Sequence, residues 1–327
     1  MGFVKISVLI PAYNSEKFIS KSIESVIHQN FSDFEIIIVD DGSNDGTKEI
    51  VKMYTRKNSK IRLFLKSNSG ITDSLNFGLK FCSGKWIARL DTDDLCENNR
   101  LRKQLIVAES SDKLGLVGSD AVFINKFDQN LFHYSYPQNH EKLKNNLLSC
   151  KHFFPHSSAF YNRELVQYLG GYRDRAGISE DWDLWLRIAH KKEIKNINEP
   201  LVKIRIHDSQ VSKRNYINQA YDTKIVVIAN LLNKRKKYDP LEVFTDDEFK
   251  KFKRYIIKKL ESHGFNDFLR FISIIKNPLL RKITLPFIFI KYITNPLILY
   301  KFIKFKFFSK NIQVNIAENF HKKYYLK

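Results

Sequence analysis

The first hundred residues alternate between short apolar runs rich in β-branched residues and longer stretches in which apolar residues recur three and four positions apart. The first pattern is typical of buried strands and the second of amphipathic helices. The predicted strands are Val4–Ile10, Glu35–Val39, Ile61–Leu65 and Trp86–Leu90. The predicted helices are Ser15–Gln29, Asp45–Lys57 and Thr72–Phe81. We expect Ser15 to cap the first helix, and the alternation predicts an α/β fold with a parallel sheet.

The pattern changes after the first hundred residues. A helix over Arg100–Ser110 and a short strand over Leu114–Val117 continue the α/β layout. The stretch Ile124–Pro155 is polar, aromatic and weakly periodic, which predicts loops. A helix that starts near Ser179 is apolar on more than one side, so we expect it to be buried. From Ile217 to the end of the chain, helical patterns dominate.

Charge divides the chain into two parts. Its 327 residues carry a net charge of +20, of which +15 lies in residues 250–327. A content of 43% hydrophobic and 28% charged residues excludes disordered and collagen-like chains. Three scattered cysteines form neither a disulfide framework nor a zinc motif, and the first residues lack the pattern of a secretory signal. We therefore expect a cytoplasmic protein with a nearly neutral body and a basic C-terminal region.

Polar residues follow each predicted strand of the N-terminal half. The carboxyl ends of parallel strands meet at one edge of the sheet, where ligands bind in open α/β folds. The chain has no GxGxxG after the first strand and no GxxxxGK[ST], which disfavours dinucleotide and P-loop binding. Side chains would then hold a base: an aspartate accepts the imide N–H of uracil, and Tyr13 stacks on the ring. The residues at this edge are Pro11, Tyr13, Asn14, Asp40, Asp41, Asn68, Gly70, Asp91, Asp93 and Asp94.

The run Asp91-Thr92-Asp93-Asp94 places three carboxylates within four residues. These groups repel one another unless a cation or hydrogen-bond donors compensate them. Mg²⁺ or Mn²⁺, bound together with a pyrophosphate-bearing substrate, would supply that compensation. An acidic turn before a helix that is capped by Asn98 or Asn99 explains the run equally well. The run by itself leaves both interpretations open.

Further along the chain, two segments also allow both an ordinary and a functional interpretation. Glu180 and Asp181 fit first-turn acids after a Ser179 cap, or a general base that the field of the helix N-terminus keeps ionised. His207 follows an apolar alternating run, where a lone histidine is more often an ordinary loop residue than a ligand. Arg205 fits either a phosphate contact or a surface salt bridge.

Taken together, these residues resemble the family 2 inverting glycosyltransferases of GT-A fold. Six motifs occur in the family's order and approximate spacing over residues 4–215: SVLIPAYN, VDDGSNDGT, NSGITDSLNFGL, DTDD, EDWDLWLR and RIHDSQVS. The resemblance is strongest to bacterial enzymes that extend lipopolysaccharide, O-antigen or capsule glycans. It implies a GT-A-type catalytic domain over residues 1–215 with a mixed, mainly parallel sheet. The donor half would end near residue 120, and the acceptor half would cover residues 121–215.

The resemblance also implies a role for each motif. The residues implied in binding a UDP-sugar donor are Pro11, Tyr13, Asp41, Asn68 and Asp91. Those implied in holding Mn²⁺ or Mg²⁺ are Asp93, Asp94 and His207. Asp181 would deprotonate a hydroxyl of a glycan or lipid-linked glycan acceptor, which attacks the anomeric carbon in one in-line step. The transferred group would be a hexose or an N-acetylhexosamine, and a UDP-α-sugar would give a β-linkage.

The C-terminal region, residues 216–327, is predicted to be helical, basic and rich in aromatic residues. Its segment 270–327 mixes Phe, Ile, Leu and Tyr with lysines, and its longest charge-free run, Tyr292–Tyr300, is too short to cross a bilayer. We expect it to attach to the anionic inner-leaflet surface of the inner membrane, on the cytoplasmic side. The alternatives are a helical domain packed on the body and a dimer contact.

Two other functions fit parts of the sequence. A sugar nucleotidyltransferase would also use a carboxylate-bound metal on an α/β sheet, but such enzymes usually have a glycine-rich loop after the first strand, where this chain reads PAYNSEK. A nucleic-acid-binding protein would account for the basic C-terminal region, although no nucleic-acid-binding motif is present and runs such as LPFIFI suit acyl chains better.

Overall fold

The computed structural model describes residues 4–151, 153–208, 210, 215–263, 265 and 311–324. The chain divides into two compact units. The first comprises Met1–Leu147 and Lys151–Arg214, and the second comprises Leu148–Cys150 and Asn215–Lys327. Most of the segment predicted to attach to a membrane, including Tyr292–Tyr300, lies outside the described residues.

The first unit is built on a nine-stranded mixed sheet. Its strands are β1 (Ile6–Ala12), β2 (Phe34–Asp40), β3 (Ile61–Leu65), β4 (Trp86–Arg89), β5 (Leu95–Cys96), β6 (Leu114–Ile124), β7 (Asn130–Tyr134), β8 (Phe160–Asn162) and β9 (Glu193–Arg205). The order is β3-β2-β1-β4-β8-β6-β9-β5, and β7 pairs with β6. The first four strands are parallel, β6 and β9 form a second parallel pair, and β8 joins β4 to β6 antiparallel.

Helices cover both faces of this sheet. The helices of the first unit are α1 (Ile19–Ile27), α2 (Thr47–Lys57), α3 (Ile71–Leu79), α4 (Arg100–Glu109), α5 (His140–Leu148), α6 (Arg163–Tyr168) and α7 (Glu180–Lys191). Apolar residues of α1, α2 and α4 pack with alternate residues of β1, β2 and β4 in one core cluster. On the other face, Gly78 lets α3 approach β1, since a Cβ there would lie 2.4 Å from the Leu9 side chain. Because both faces are covered, the central strands read as continuous apolar runs.

The strand predictions hold to within two residues at β1 to β4, and β3 is identical. The prediction that Ser15 caps a helix from residue 15 is wrong. Residues 15–18 form a turn, α1 begins at Ile19, and the Ser15 hydroxyl donates to the backbone oxygen of Tyr13 at 3.1 Å.

The prediction of loops over Ile124–Pro155 is also wrong, since this stretch contains β7 and α5. Strand β7 pairs with β6 alone and is mostly exposed, so it shows no alternation of apolar and polar residues. Helix α5 buries only Leu143, Leu147 and Leu148. Both elements bury too little apolar surface for a periodic signal.

The second unit is helical. Its described elements are α8 (Tyr216–Lys236), α9 (Pro240–Val243), α10 (Asp246–Ser262) and α11 (311–324). Thr245 and Glu248 form a capping box at the start of α10. Phe252 is fully buried and lies 5.0 Å, ring to ring, from Phe320 of α11. The helical C-terminal region is thus confirmed over the described part of the chain, in which no helix is both long and apolar enough to cross a membrane.

Candidate active site

The loops that follow β1 and β2 are fastened to each other at the carboxyl edge of the sheet. The backbone N–H of Asn14 donates to the Ser43 hydroxyl at 2.9 Å, and that of Asn44 donates to the Asn14 side chain at 2.9 Å. The backbone N–H of Ser15 donates to the Thr47 hydroxyl at 2.7 Å. Asn14 has a positive φ of 47°, a conformation that asparagine tolerates better than most residues. The two loops therefore form one preorganised wall.

Asp41 joins this wall to the loop after β3. Its buried carboxylate accepts the backbone N–H groups of Ser69, at 3.0 Å, and Gly70, at 2.9 Å. The Lys66 ammonium lies 2.6 Å from the same carboxylate. Two donors share Oδ1 and one uses Oδ2, so Oδ2 retains a lone pair for a ligand.

The other residues implied in donor binding lie around Asp41. The Tyr13 side chain is 49% exposed, Asn68 is exposed, and Pro11 is half-buried. Gly42, with φ of +74°, is packed so closely that a Cβ would lie 2.9 Å from the backbone nitrogen of Asn68. The structure thus places these residues along one edge, with an exposed aromatic ring available for stacking.

The structure brings the three aspartates after β4 together, and we call Asp91–Asp94 the acidic loop. One carboxylate oxygen from each of Asp91, Asp93 and Asp94 lies within 4.8 Å of the others. Nε2 of His207 lies 2.8 Å from Oδ2 of Asp93. Residues 114 positions apart in the sequence therefore share one cluster, as the resemblance implies.

Buried donors surround the acidic loop. Arg89, only 1% exposed, forms an ion pair with Asp91. The Ser157 hydroxyl lies 2.8 Å from Oδ2 of Asp91 and also hydrogen-bonds Asp94. The backbone N–H of Arg205 donates to Oδ1 of Asp94 at 2.9 Å.

Arg205 itself differs from both of its predicted roles. Its guanidinium is fully buried, donates to the backbone oxygen of Asp93 at 2.8 Å, pairs with Asp128 and lies over the Phe18 ring. It is therefore neither a surface salt bridge nor an exposed phosphate ligand. Arg205 instead holds the backbone of the acidic loop in place through its hydrogen bond to Asp93.

The charge balance of the acidic loop fits a divalent cation. Burial, followed by the charges of Asp93 and Asp91, raises the pKa of Asp94 well above its ordinary value. Burial, the largest single influence, also opposes ionisation of Asp91, but Arg89, His156 and Ser157 together outweigh it and the pKa of Asp91 is lowered. Clustered carboxylate oxygens beside an imidazole suit Mg²⁺ or Mn²⁺.

The helix-cap interpretation of the aspartate run fails. Asn99 occupies the N-cap position of α4, but no side-chain hydrogen bond caps this helix. The Asn99 side chain accepts instead from the Asn30 amide at 2.9 Å.

Glu180 and Asp181 open α7, where burial controls their charge. Burial raises the pKa of Asp181 to about 6, against the opposing hydrogen bond from the Trp182 backbone N–H at 2.6 Å. Burial, followed by the Asp181 charge, raises the pKa of Glu180 to about 8. The expectation that the helix N-terminus holds these acids ionised is therefore wrong for Glu180, since burial outweighs the helix field. At pH 7 Asp181 is mostly ionised and Glu180 is mostly protonated.

A short 3₁₀ helix, His156–Ser158, connects this pair with the acidic loop. Ser157 touches Asp91 and Asp94, whereas the preceding His156 places Nδ1 at 4.0 Å from the Glu180 carboxylate. Burial and then the charge of Arg89 lower the pKa of His156 well below its ordinary value. The charges of Arg89 and Asp91 also act on the pKa values of both Glu180 and Asp181, so all these groups lie near one another.

Sequence reasoning missed Arg89, His156 and Ser157. Arg89 left a signal, because it is a charged residue inside the otherwise apolar run WIARL. His156 and Ser157 lie next to a stretch predicted as loops and leave no pattern in one sequence.

Comparison with known proteins decides the family. Residues 7–170 match the model of glycosyl transferase family 2. The O-antigen biosynthesis glycosyltransferase WbnJ of Escherichia coli is 31% identical over 217 residues, which cover 64% of this chain and 82% of WbnJ. The chain belongs to glycosyltransferase family 2. It is a glycosyltransferase, which resolves the choice against a nucleotidyltransferase.

Solved structures confirm the GT-A-type fold of this family 2 glycosyltransferase. TarS 1–349 of S. aureus, solved in complex with UDP-GlcNAc, matches with a TM-score of 0.59 and 18% identity over 79% of this chain and 73% of that chain. The mannosyltransferase PcManGT of Pyrobaculum calidifontis, solved in complex with GDP-Man and Mn²⁺, matches with a TM-score of 0.54 and 17% identity. The match covers 100% of this chain and 89% of that chain.

Proposed function

We propose that this chain is a metal-dependent inverting glycosyltransferase that moves a hexose or an N-acetylhexosamine from a UDP-sugar to a hydroxyl of a glycan or lipid-linked glycan. One observation carries the proposal: the 3₁₀ helix His156–Ser158 contacts both the acidic loop, through Ser157, and the Glu180–Asp181 pair, through His156. The first group suits a cation and a diphosphate, and the second contains a carboxylate that is ready to accept a proton.

Asp41 and Tyr13 would recognise the uracil. The lone pair that Oδ2 of Asp41 retains can accept the imide N–H, and the exposed Tyr13 ring offers a stacking face. Pro11 and Asn68 would complete the nucleoside site. Cytosine carries an acceptor where uracil carries this N–H, so a carboxylate here favours uridine over cytidine.

Asp93, Asp94 and His207 would hold Mn²⁺ or Mg²⁺, with Asp91 on the ribose and diphosphate side. When bound, the cation stabilises negative charge on the departing diphosphate. Arg89 and the Arg205 backbone keep the carboxylates of Asp91 and Asp94 in place while the donor binds.

Asp181 would act as the general base. With a pKa of about 6 it is ionised at neutral pH and still basic enough to take a proton from the acceptor hydroxyl. Glu180, mostly protonated, would leave that role to Asp181. Attack from the face opposite the diphosphate inverts the anomeric carbon, so a UDP-α-sugar gives a β-linked product.

The test is a donor screen with the full chain. The chain is incubated with Mn²⁺ and one donor at a time: UDP-Gal, UDP-Glc, UDP-GlcNAc or UDP-GalNAc, with GDP-Man for comparison. The release of UDP or GDP is measured. We expect UDP release from one or two donors, and a β-anomeric signal by NMR in the transfer product. Release from GDP-Man alone would overturn the uridine assignment, and an α-linked product would overturn inversion.

We further propose that the acceptor belongs to bacterial surface polysaccharide and that the chain works on the cytoplasmic face of the inner membrane. The support is the similarity to WbnJ, an O-antigen biosynthesis glycosyltransferase, and the +15 charge of residues 250–327. Sedimentation of the full chain with phosphatidylglycerol vesicles tests the second part. Binding should weaken as salt rises, because each basic residue near an anionic surface contributes about 1 kcal/mol and is screened. Equal sedimentation with neutral vesicles would contradict it.

A further inference from the structure

Ser157 is a buried hydroxyl beneath the acidic loop, in the middle of the 3₁₀ helix His156–Ser158. Its side chain makes four polar contacts and the residue is only 1% exposed. The hydroxyl oxygen lies 2.8 Å from Oδ2 of Asp91 and hydrogen-bonds Oδ2 of Asp94. It also accepts the backbone N–H of Asp91 at 3.0 Å and an N–H of Arg89 at 3.3 Å.

These contacts use the whole hydrogen-bonding capacity of a serine. A hydroxyl has one proton to donate and two lone pairs to accept with. The N–H groups of Asp91 and Arg89 occupy the two lone pairs, which leaves the single proton between two carboxylate oxygens. The hydroxyl therefore cannot rotate toward another partner without losing a bond in a buried site.

The two carboxylates also have anchors of their own. Asp91 pairs with Arg89 on β4, and Asp94 accepts the backbone N–H of Arg205 at the end of β9. These anchors lie on different strands, and each holds one carboxylate. Ser157 contacts both, so it can set their spacing against mutual repulsion.

We propose that Ser157 is a positioning residue for the metal site, holding the Asp94 carboxylate beside that of Asp91 in an arrangement ready for Mn²⁺ or Mg²⁺. The inference rests on the proposed metal dependence and adds to it a residue outside every motif of the family resemblance. Groups that orient metal ligands typically change metal affinity about 10–100-fold when they are removed.

Ser158 supplies a matched control on the same helical turn. It is fully buried, its hydroxyl donates to the backbone oxygen of Pro155 at 2.9 Å, and the hydroxyl accepts the backbone N–H of Ser119 at 3.4 Å. Loss of its hydroxyl removes buried hydrogen bonds of the same kind without removing a contact to Asp91 or Asp94.

The experiment measures Mn²⁺ binding to the full chain directly, from the EPR signal of free Mn²⁺, with UDP present. Ser157→Ala removes the hydroxyl, and Ser157→Cys keeps the volume but substitutes a weak donor. We expect both variants to bind Mn²⁺ about 10-fold or more weakly, and Ser158→Ala to bind as the wild type does. Excess Mn²⁺ should restore turnover in the Ser157 variants, which a merely misfolded enzyme would not show. Thermal unfolding identifies any variant that fails to fold. If Ser157→Ala does not fold, the Mn²⁺ affinity of Ser157→Cys tests the inference.

Three results would overturn the inference. Wild-type Mn²⁺ affinity in both Ser157 variants would show that the hydroxyl is unnecessary. Equal losses in the Ser157 and Ser158 variants would reduce the effect to general destabilisation. Absence of Mn²⁺ binding by the wild type with UDP would overturn the proposed metal dependence together with the role of Ser157, whereas the first two results leave the metal dependence intact.

Discussion

The 3₁₀ helix His156–Ser158 contacts two groups of neighbouring carboxyls that differ in their hydrogen-bond and ion-pair partners. In the acidic loop, Asp91 faces the buried guanidinium of Arg89, and Asp94 is held by Ser157 and by the backbone of Arg205. At the start of α7, burial instead raises the pKa of Asp181 to about 6 and that of Glu180 to about 8. Fixed donors hold Asp91 and Asp94 in the first group, where burial and like charge raise the pKa of Asp94 while Arg89 lowers that of Asp91, whereas in the second group burial raises the pKa of both carboxyls.

This difference separates the two tasks of the proposed reaction. Carboxylates held by fixed donors keep their geometry, which suits a cation and a diphosphate. A carboxyl that titrates near neutrality can accept a proton and release it again, which suits a general base. Arg89 lies between them, since it pairs with Asp91 and its charge acts on the pKa values of Glu180 and Asp181.

Removal of divalent cations should have the largest effect, because it takes away the cation that we propose the acidic loop binds. We expect EDTA to abolish transfer, and Mn²⁺ or Mg²⁺ to restore it. Asp93→Ala should weaken UDP binding when Mn²⁺ is present and change it little in EDTA, since carboxylates bind phosphates through a cation. Calorimetric titration with UDP, with and without Mn²⁺, measures this. The exposed Asp112 supplies a control as Asp112→Ala, and full activity in the chelator would refute the metal role.

Asp181→Asn should have the next largest effect, because the amide keeps the shape of the side chain and cannot accept the proton. Loss of a general base lowers the rate on the order of 10²–10⁴-fold. UDP binding should stay near the wild-type value, since none of the residues proposed to bind UDP is changed. Rates of UDP release with acceptor, beside UDP titrations, separate the two quantities.

The exposed Asp174, a few residues upstream, provides the control as Asp174→Asn. Turnover by Asp181→Asn above about a tenth of the wild-type rate would contradict a catalytic role. Asp181 would then be an ordinary acidic residue in the first turn of α7.

Much of the acidic loop could be predicted from the sequence, because its ligands lie directly after strands. Strand ends are marked by the change from apolar to polar residues, and the topology of a parallel sheet brings those ends together. His207 follows β9 in the same way, and the structure places it beside Asp93.

The charge states at α7 could not be predicted in this way. The pKa of Glu180 depends on burial among residues that are distant in sequence, including His156, which lies in a 3₁₀ helix next to a stretch predicted as loops. First-turn acids look the same in a sequence whether they are solvated or buried. The supporting residues Ser157 and Arg89 were missed for the same reason, since a single buried polar side chain has no periodicity.

The pH dependence of activity sharpens the contrast further. Because Asp181 must be ionised to act as a base, kcat/KM should rise about tenfold per pH unit below its pKa of about 6 and level off above it. The profile is measured as UDP release between pH 5 and pH 8 at saturating Mn²⁺. The residual activity of Asp181→Asn should lack this rise. An unchanged rise in that variant would assign the titration to another group.

Glu180→Gln should have the smallest effect on activity. The amide resembles the protonated carboxyl and cannot ionise, so the variant tests whether Glu180 has to ionise. With a pKa of about 8, Glu180 is already mostly neutral at pH 7, so an amide of similar size changes little in the reaction.

The Glu180→Gln substitution should instead change the stability of the folded protein. Because the folded pKa lies above the ordinary value of 4.5, the protonated carboxyl favours folding at low pH, and this contribution is lost as the pH rises from 4.5 through 8. Thermal unfolding should therefore show the variant gaining on the wild type between about pH 4.5 and pH 8, and the difference should level off at higher pH. A fall in activity as large as that of Asp181→Asn would mean that Glu180 exchanges the proton, and the division between the acidic loop and a single base at Asp181 would fail.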